Sequence, residues 1–192
     1  KKELRERLGI EDEKTLIFVP ISGPQKERAY LQNILQRIFA GFPDDYHVVM
    51  SLGYPRSHAA PLHRGNLTVF RWIPNRFEYL KACDVVVSRA GHGTVLQTMC
   101  YGKPAVLIPT PSHTEQLNNA KRAMSLGIAS IVEQEKLTGG KLLAEVERVT
   151  RDDGFVERAA DLRKEVGFIN GLETAIDMTI EVAEGGKTYV HA

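Results

Sequence analysis

Asp84-Val85-Val86-Val87-Ser88-Arg89-Ala90-Gly91-His92-Gly93-Thr94-Val95-Leu96-Gln97 reads as a buried strand, a glycine-bearing turn and the first turn of a helix. Three consecutive valines suit a strand covered on both faces, as in a parallel sheet. Gly91 and Gly93 are expected to let the backbone turn sharply and approach a ligand with no Cβ in the way. The pattern starts a helix near Thr94 and stops it at Gly102, with Pro104 just beyond. A helix N-terminus fed by glycines presents free N–H groups and the positive end of a dipole, which suits a phosphate or diphosphate. The same pattern also fits an ordinary strand-to-helix turn of an α/β domain.

Working outward, strands alternate with helices. Strands are expected at Leu16 to Val19, Tyr46 to Leu52, Leu67 to Phe70, Ala105 to Ile108 and Ile128 to Val132. Helices are expected at Lys1 to Leu8, Gln25 to Phe39, Arg76 to Ala82 and Thr114 to Ser125. Gly53 to Gly65 reads as a loop carrying Arg56, His58, His63 and Arg64, the histidines solvated or acceptor-facing and not metal ligands. Lys136 to Thr150, Gly154 to Val166 and Gly171 to Ala183 read as three helices with no strands between them, and the last residues as frayed. The fold class that follows is α/β, a Rossmann-like doubly wound parallel sheet with extra C-terminal helices. Residues 1–155 are expected to form the Rossmann-like part, which carries the candidate binding site, and residues 156–192 a helical flank of the same domain.

Composition narrows the function. At 192 residues with a net charge of +1, the chain can bury a sizeable α/β core and lacks the basic excess of a nucleic-acid binder. Cys83 and Cys100 have no metal-ligand spacing and read as core thiols of a reducing compartment. No apolar run is long enough to span a bilayer. Lys1 stands where a methionine would begin a natural chain, which raises the expectation of a longer protein. Phosphate-loop, nucleophile-elbow and zinc-helix motifs are absent, and the first strand is not followed by the dinucleotide fingerprint.

What remains is a set of polar groups at strand ends: Ser22 and Gly23, Trp72 to Asn75, Ser88 to Thr94, then His113, Glu115 and Gln116. A doubly wound sheet brings such loops to one edge. An aromatic ring, a phosphate cradle and hydrogen-bonding side chains would meet there, a combination suited to a nucleotide with a polar appendage. Local alternatives stand beside this reading. Thr94-x-x-Gln97 and Ser112-x-x-Glu115 both fit the capping box. Trp72 could fill the core, His92 could be a surface histidine, and Arg89 could pair with a carboxylate as readily as with a phosphate.

In order along the chain, Trp72-Ile73-Pro74, Ser88-Arg89-Ala90-Gly91-His92-Gly93-Thr94, Gly102-Lys103-Pro104, Pro109, Glu115-Gln116 and Asn119-Ala120 resemble the C-terminal, donor-binding half of a GT-B glycosyltransferase. The peptidoglycan N-acetylglucosaminyltransferases and the UDP-glycosyltransferases are the families most resembled. The resemblance implies transfer of a sugar, with inversion, from a nucleoside-diphosphate donor, most simply a UDP-sugar, to an acceptor hydroxyl. It implies that Trp72 and Ile73 hold the uracil, that Gly91, His92, Gly93 and Thr94 hold the diphosphate, and that Ser22 and Gly23 approach the phosphates or sugar from the opposite loop. Glu115 and Gln116 would contact sugar hydroxyls, and Arg89 belongs to the same nucleotide-sugar-binding set. Those relatives usually carry glutamate, gripping the ribose diol, at the position of Gln97, and a glutamine at that of Asn75, so this chain departs from the pattern at the ribose. The resemblance implies no metal and no cofactor besides the donor. It implies a general base on an N-terminal GT-B domain or separate partner chain, and a lipid, glycan or small-molecule acceptor. A cytoplasmic location, membrane-peripheral through the missing half, is the matching expectation. A UDP-sugar 2-epimerase-like enzyme and a non-catalytic nucleotide-sugar-binding subunit of a two-chain transferase share these features.

Overall fold

The computed structural model describes residues 1–55, 57–167 and 170–184. Arg56 and the end of the chain, expected to fray, lie outside the described residues. The strands are β1 (Thr15–Pro20), β2 (Tyr46–Ser51), β3 (Leu62–Arg64), β4 (Leu67–Phe70), β5 (Val85–Ser88), β6 (Ala105–Leu107) and β7 (Ala129–Ile131). They form one sheet in the order β3-β4-β2-β1-β5-β6-β7. Every pairing is parallel except β3 against β4. With β3 set aside, the order is that of a doubly wound dinucleotide fold. The short strand β3 sits inside the segment expected to be a loop. Its three residues are all exposed and alternate no apolar face, so nothing in its sequence marks a strand.

Two faces of the sheet are covered by helices. α2 (Gln25–Phe39) and α6 (Gly139–Arg151) cover one, burying Leu31, Leu35, Phe39, Leu142, Val146 and Val149 against Ile17, Val19, Val85 and Val87. α1 (Lys2–Arg7), α3 (Arg76–Ala82), α4 (His92–Tyr101), α5 (Thr114–Ser125) and α7 (Asp153–Gly167) cover the other, over Leu16, Phe18 and Val86. Alternate residues of β1 and β5 therefore enter opposite cores, which is why both strands are apolar throughout. α8 (Gly171–Ala183) follows with no buried residue. α4 ends at Gly102, whose φ of 61° is left-handed. A Cβ there would meet the Arg163 side chain at 3.1 Å and the Ala159 carbonyl oxygen at 3.3 Å, so the glycine also lets α7 lie close.

The amino-terminal edge of the sheet is pinned by charge. Asp84 pairs with buried Arg5 and with Lys1, and its Oδ2 accepts the Leu16 N–H at 2.7 Å. Arg5 also donates to the carbonyls of Ala82, Asp12 and Lys14. Lys103 Nζ donates to the Lys81 and Cys83 carbonyls, and burial lowers its pKa. Cys83 is fully buried, and burial pushes its thiol up to about 12, although the Lys103 ammonium pulls the other way. Cys100, expected in the core, is exposed. The helical repeat of α4 turns it away from the side that Val95 and Met99 pack.

Replacing Asp84 by alanine leaves the Arg5 guanidinium buried with carbonyls alone as partners. The expected loss is about 3 kcal/mol of unfolding free energy, read from urea denaturation.

Candidate functional site

The topology reverses at β1, whose neighbours β2 and β5 are reached by crossovers on opposite faces, and this opens a crevice outside the strand ends. The loops after β1, β2, β4 and β5 meet there. A cleft is lined by Ser22, Gly53, Trp72, Ile73, Arg76, Thr94 and Gln97, with Phe18, Pro20, Ile21 and Ser51 at its floor. Trp72 is half-buried and lies in neither hydrophobic core, so it is not core filling. Five of the expected site residues, Ser22, Trp72, Ile73, Thr94 and Gln97, thus share one cleft.

The turn into α4 is built differently from expectation. Ala90 takes the left-handed conformation, φ 62°, whereas Gly91 has φ −62° and ψ 141° and caps the helix. Such a conformation at a residue with a Cβ costs about 1–2 kcal/mol. Ser88 Oγ accepts the Ala90 N–H, and Asn119 Nδ2 donates to the Ala90 carbonyl at 3.1 Å, which holds it. The two glycines are therefore not needed for the turn. A Cβ on either would meet nothing within 4 Å, so both face open space.

Both expected capping boxes are absent. α4 starts at His92, two residues earlier than expected, which puts Thr94 inside the first turn. The N–H of Thr94 donates to the Gly91 carbonyl, and the cap residue Gly91 has no side chain to offer. Gln97 is thereby free of the capping role and is half-buried in the cleft. For α5 the cap is His113, whose Nδ1 accepts the Gln116 N–H, and Ser112 lies outside with φ 60°.

The remaining expected residues do not line this cleft. His92 and Gly93 are exposed at the start of α4. Glu115 is exposed, and its Oε1 accepts from Asn119 Nδ2 at 3.2 Å and from the His92 N–H at the start of α4 at 3.4 Å. Gln116 is buried and its Oε1 accepts the Thr110 N–H at 2.9 Å, a local role its sequence context did not show. Arg89 is buried as well. It pairs with Glu27 at 2.7 Å, so the carboxylate alternative is the arrangement observed. Gly23, with φ 110°, lies against the Arg89 guanidinium.

Sequence reasoning passed over Gly53 and Arg76. Gly53 lies two residues past the end of β2, so the strand-end rule that selected the other loops selects it equally. It needs φ 66°, and a Cβ there would stand 2.6 Å from the Ile21 carbonyl oxygen. Arg76 opens α3 one residue beyond Asn75, and no local pattern separates it from a solvated helix residue.

The chain matches the model of the glycosyltransferase family 28 C-terminal domain over residues 16–170. It belongs to that family. Among sequence relatives of this family 28 domain, the UDP-N-acetylglucosamine--N-acetylmuramyl-(pentapeptide) pyrophosphoryl-undecaprenol N-acetylglucosamine transferase of Caldicellulosiruptor saccharolyticus is 25% identical, with 87% of this chain and 47% of that protein covered. The enzyme of the same name from Bacillus licheniformis is 30% identical, with 74% and 41% covered. The chain spans less than half the length of these relatives. Among solved structures, the glycosyltransferase of kitacinnamycin superposes with a TM-score of 0.72 at 26% identity, covering 88% of this chain and 43% of that one. The calicheamicin glycosyltransferase CalG4 gives 0.73 at 23% identity, with 88% and 43% covered. The fold of the family 28 domain is thus that of a GT-B C-terminal half.

The two kinds of glycine at this site predict opposite substitution effects. Gly53→Ala should cost about 1–3 kcal/mol through backbone strain. Gly93→Ala, in open space inside a helix, should gain up to about 1 kcal/mol. Thermal unfolding of the two variants measures both.

Proposed function

We propose that this chain is the donor-binding half of a glycosyltransferase, and that its cleft takes a nucleoside-diphosphate sugar with uridine as the base. The observation that carries this reading is the juxtaposition of two unlike surfaces. An aromatic slot formed by Trp72 and Ile73 adjoins a helix N-terminus whose cap residue, Gly91, offers no side chain and whose two glycines face open space; Glu115 holds the His92 N–H there and would give it up to a diphosphate. The slot suits a planar base. The helix end, equivalent to roughly half a positive charge, suits a diphosphate. Gln97 lines the same cleft and is the candidate for the ribose, with Ser22 and Gly53 also in its lining. Glu115, exposed beside the start of α4, is the candidate for the sugar hydroxyls.

The relatives' printed names give UDP-N-acetylglucosamine as donor and an undecaprenol-linked acceptor. For this chain those are starting points for a donor and acceptor panel. In transfer, N–H groups at the start of α4 would stabilise the charge developing on the departing diphosphate, a preorganised electrostatic contribution that does not call for a metal. Abstraction of the acceptor proton needs a general base. We assign it to an N-terminal GT-B half or partner chain, in a protein working at the cytoplasmic side of a membrane. Among the described residues no helix is long and apolar enough to cross one.

Trp72 is the sole tryptophan, so its fluorescence reports directly on the slot. Titration with UDP should quench or shift it equally with magnesium or with chelator present. Gly93→Val should lower UDP affinity by about tenfold or more while the chain stays folded. Strict dependence on magnesium, or a folded Gly93→Val variant that binds as the wild type does, would count against the reading.

Gln97 gives a second test. A charge-assisted hydrogen bond is worth about 1.5–3 kcal/mol against roughly 1 for a neutral one. Gln97→Glu should therefore raise the preference for UDP over its 2′-deoxy analogue if the side chain meets the ribose. A UDP-to-dUDP affinity ratio that does not change removes Gln97 from ribose recognition.

A further inference from the structure

Arg89 was expected among the ligand-binding residues, but every direction of its guanidinium is turned to protein. Its side chain is 5% exposed. Nε donates to Thr110 Oγ1 at 3.0 Å, and Nη2 donates to the same oxygen. Nη1 donates to the Ser22 carbonyl at 3.1 Å, and Nη2 pairs with Glu27 Oε2 at 2.7 Å. These partners lie on three separate loops or helix starts: Ser22 after β1, Glu27 in the first turn of α2, and Thr110 after β6. Arg89 itself follows β5 directly, one residue before the left-handed Ala90. Gly23 completes the fit, since a Cβ on it would come within 2.9 Å of Nη1.

We propose that Arg89 is a positioning residue that sets the width of the diphosphate cradle by tying its facing lips together, and that it does not itself bind phosphate. The inference rests on the nucleotide reading of the cleft. The planar fork is what the task requires, because three acceptors in fixed directions cannot be served by a point charge. Glu27 supplies the countercharge, so the buried cation is already neutralised before any ligand arrives. Ser22 and Gly23 on one side, and Ala90 and Gly91 on the other, are thereby held at one spacing. The base slot at Trp72 and Ile73 has no bond to this fork.

That separation defines the test, made by Trp72 fluorescence on this chain with uridine and with UDP. Arg89→Lys keeps the charge and loses the fork. It should lower UDP affinity by about tenfold and leave uridine affinity unchanged. Thr110→Val, which removes one acceptor and no charge, should act in the same direction with a smaller effect and covers the case in which Arg89→Lys does not fold. Glu27→Gln decides between positioning and direct binding. If Arg89 positions the lips, UDP affinity falls; if it is a phosphate ligand restrained by Glu27, affinity rises and the proposal is overturned. UDP binding by folded Arg89→Lys equal to wild type overturns it as well. Amide hydrogen exchange without ligand gives an independent readout: Ser22, Gly23, Thr110 and Ser112 should exchange faster in Arg89→Lys while the strand cores stay protected. If the wild type binds no nucleotide yet these amides respond as expected, the loop tie stands and the nucleotide reading falls. Unaltered exchange at all four overturns the tie.

Discussion

The structure depends on the requirement that β1 be hydrogen-bonded along both edges while both its faces are buried. A strand in that position needs a hydrogen-bonded neighbour on each edge, and β2 and β5 supply them, both parallel to it. Because a parallel connection must cross over the sheet, α2 goes to one face and α3 to the other. The crossovers diverge at β1 and leave a crevice at its carboxyl end. Everything that makes the molecule interesting is built on the loops that border this crevice.

The two ends of β1 and β5 are fastened by the same kind of device. At the amino end, the Asp84 carboxylate joins β5 to β1 and holds Arg5 and Lys1. At the carboxyl end, the Arg89 guanidinium joins β5 to the loops after β1 and β6. Each is a buried or half-buried ion with several fixed partners, so each specifies geometry more than it adds stability. Between them, the apolar stretch from Val85 to Val87 needs no polar help. The strain at Ala90 is sustained by this surrounding order, since Asn119 on α5 and Ser88 on β5 both hold its backbone.

Chemistry and packing divide the glycines of the family motif in a way their spacing does not show. Gly102 and Gly53 are required by backbone conformation and close neighbours. Gly91 and Gly93 are required by neither, and their missing side chains only keep the helix end open. An open helix end of this kind is what the proposed diphosphate site calls for. Gln116 and Arg89 show the reverse: polar residues of the motif whose bonds are largely spent inside the protein.

The sequence by itself determined the order of strands and helices, the two-sided burial of β5, the strand-end loops that form the site and the family resemblance, because these follow from periodicity and from local turn chemistry. It also determined that Trp72, Ile73, Ser22, Thr94 and Gln97 are candidates for one cleft, since a doubly wound sheet gathers its strand-end loops at one edge. Only the tertiary structure decided that α4 begins at His92, that Ala90 makes the turn, that His113 caps α5 and that β3 is a strand. For Ala90 and Arg89 the partners lie far along the chain, Asn119 for the first and Glu27 and Thr110 for the second, whereas β3 is held by its hairpin neighbour β4. Local sequence carries the cost of a conformation, but the bonds that offset it come from residues brought close only by folding.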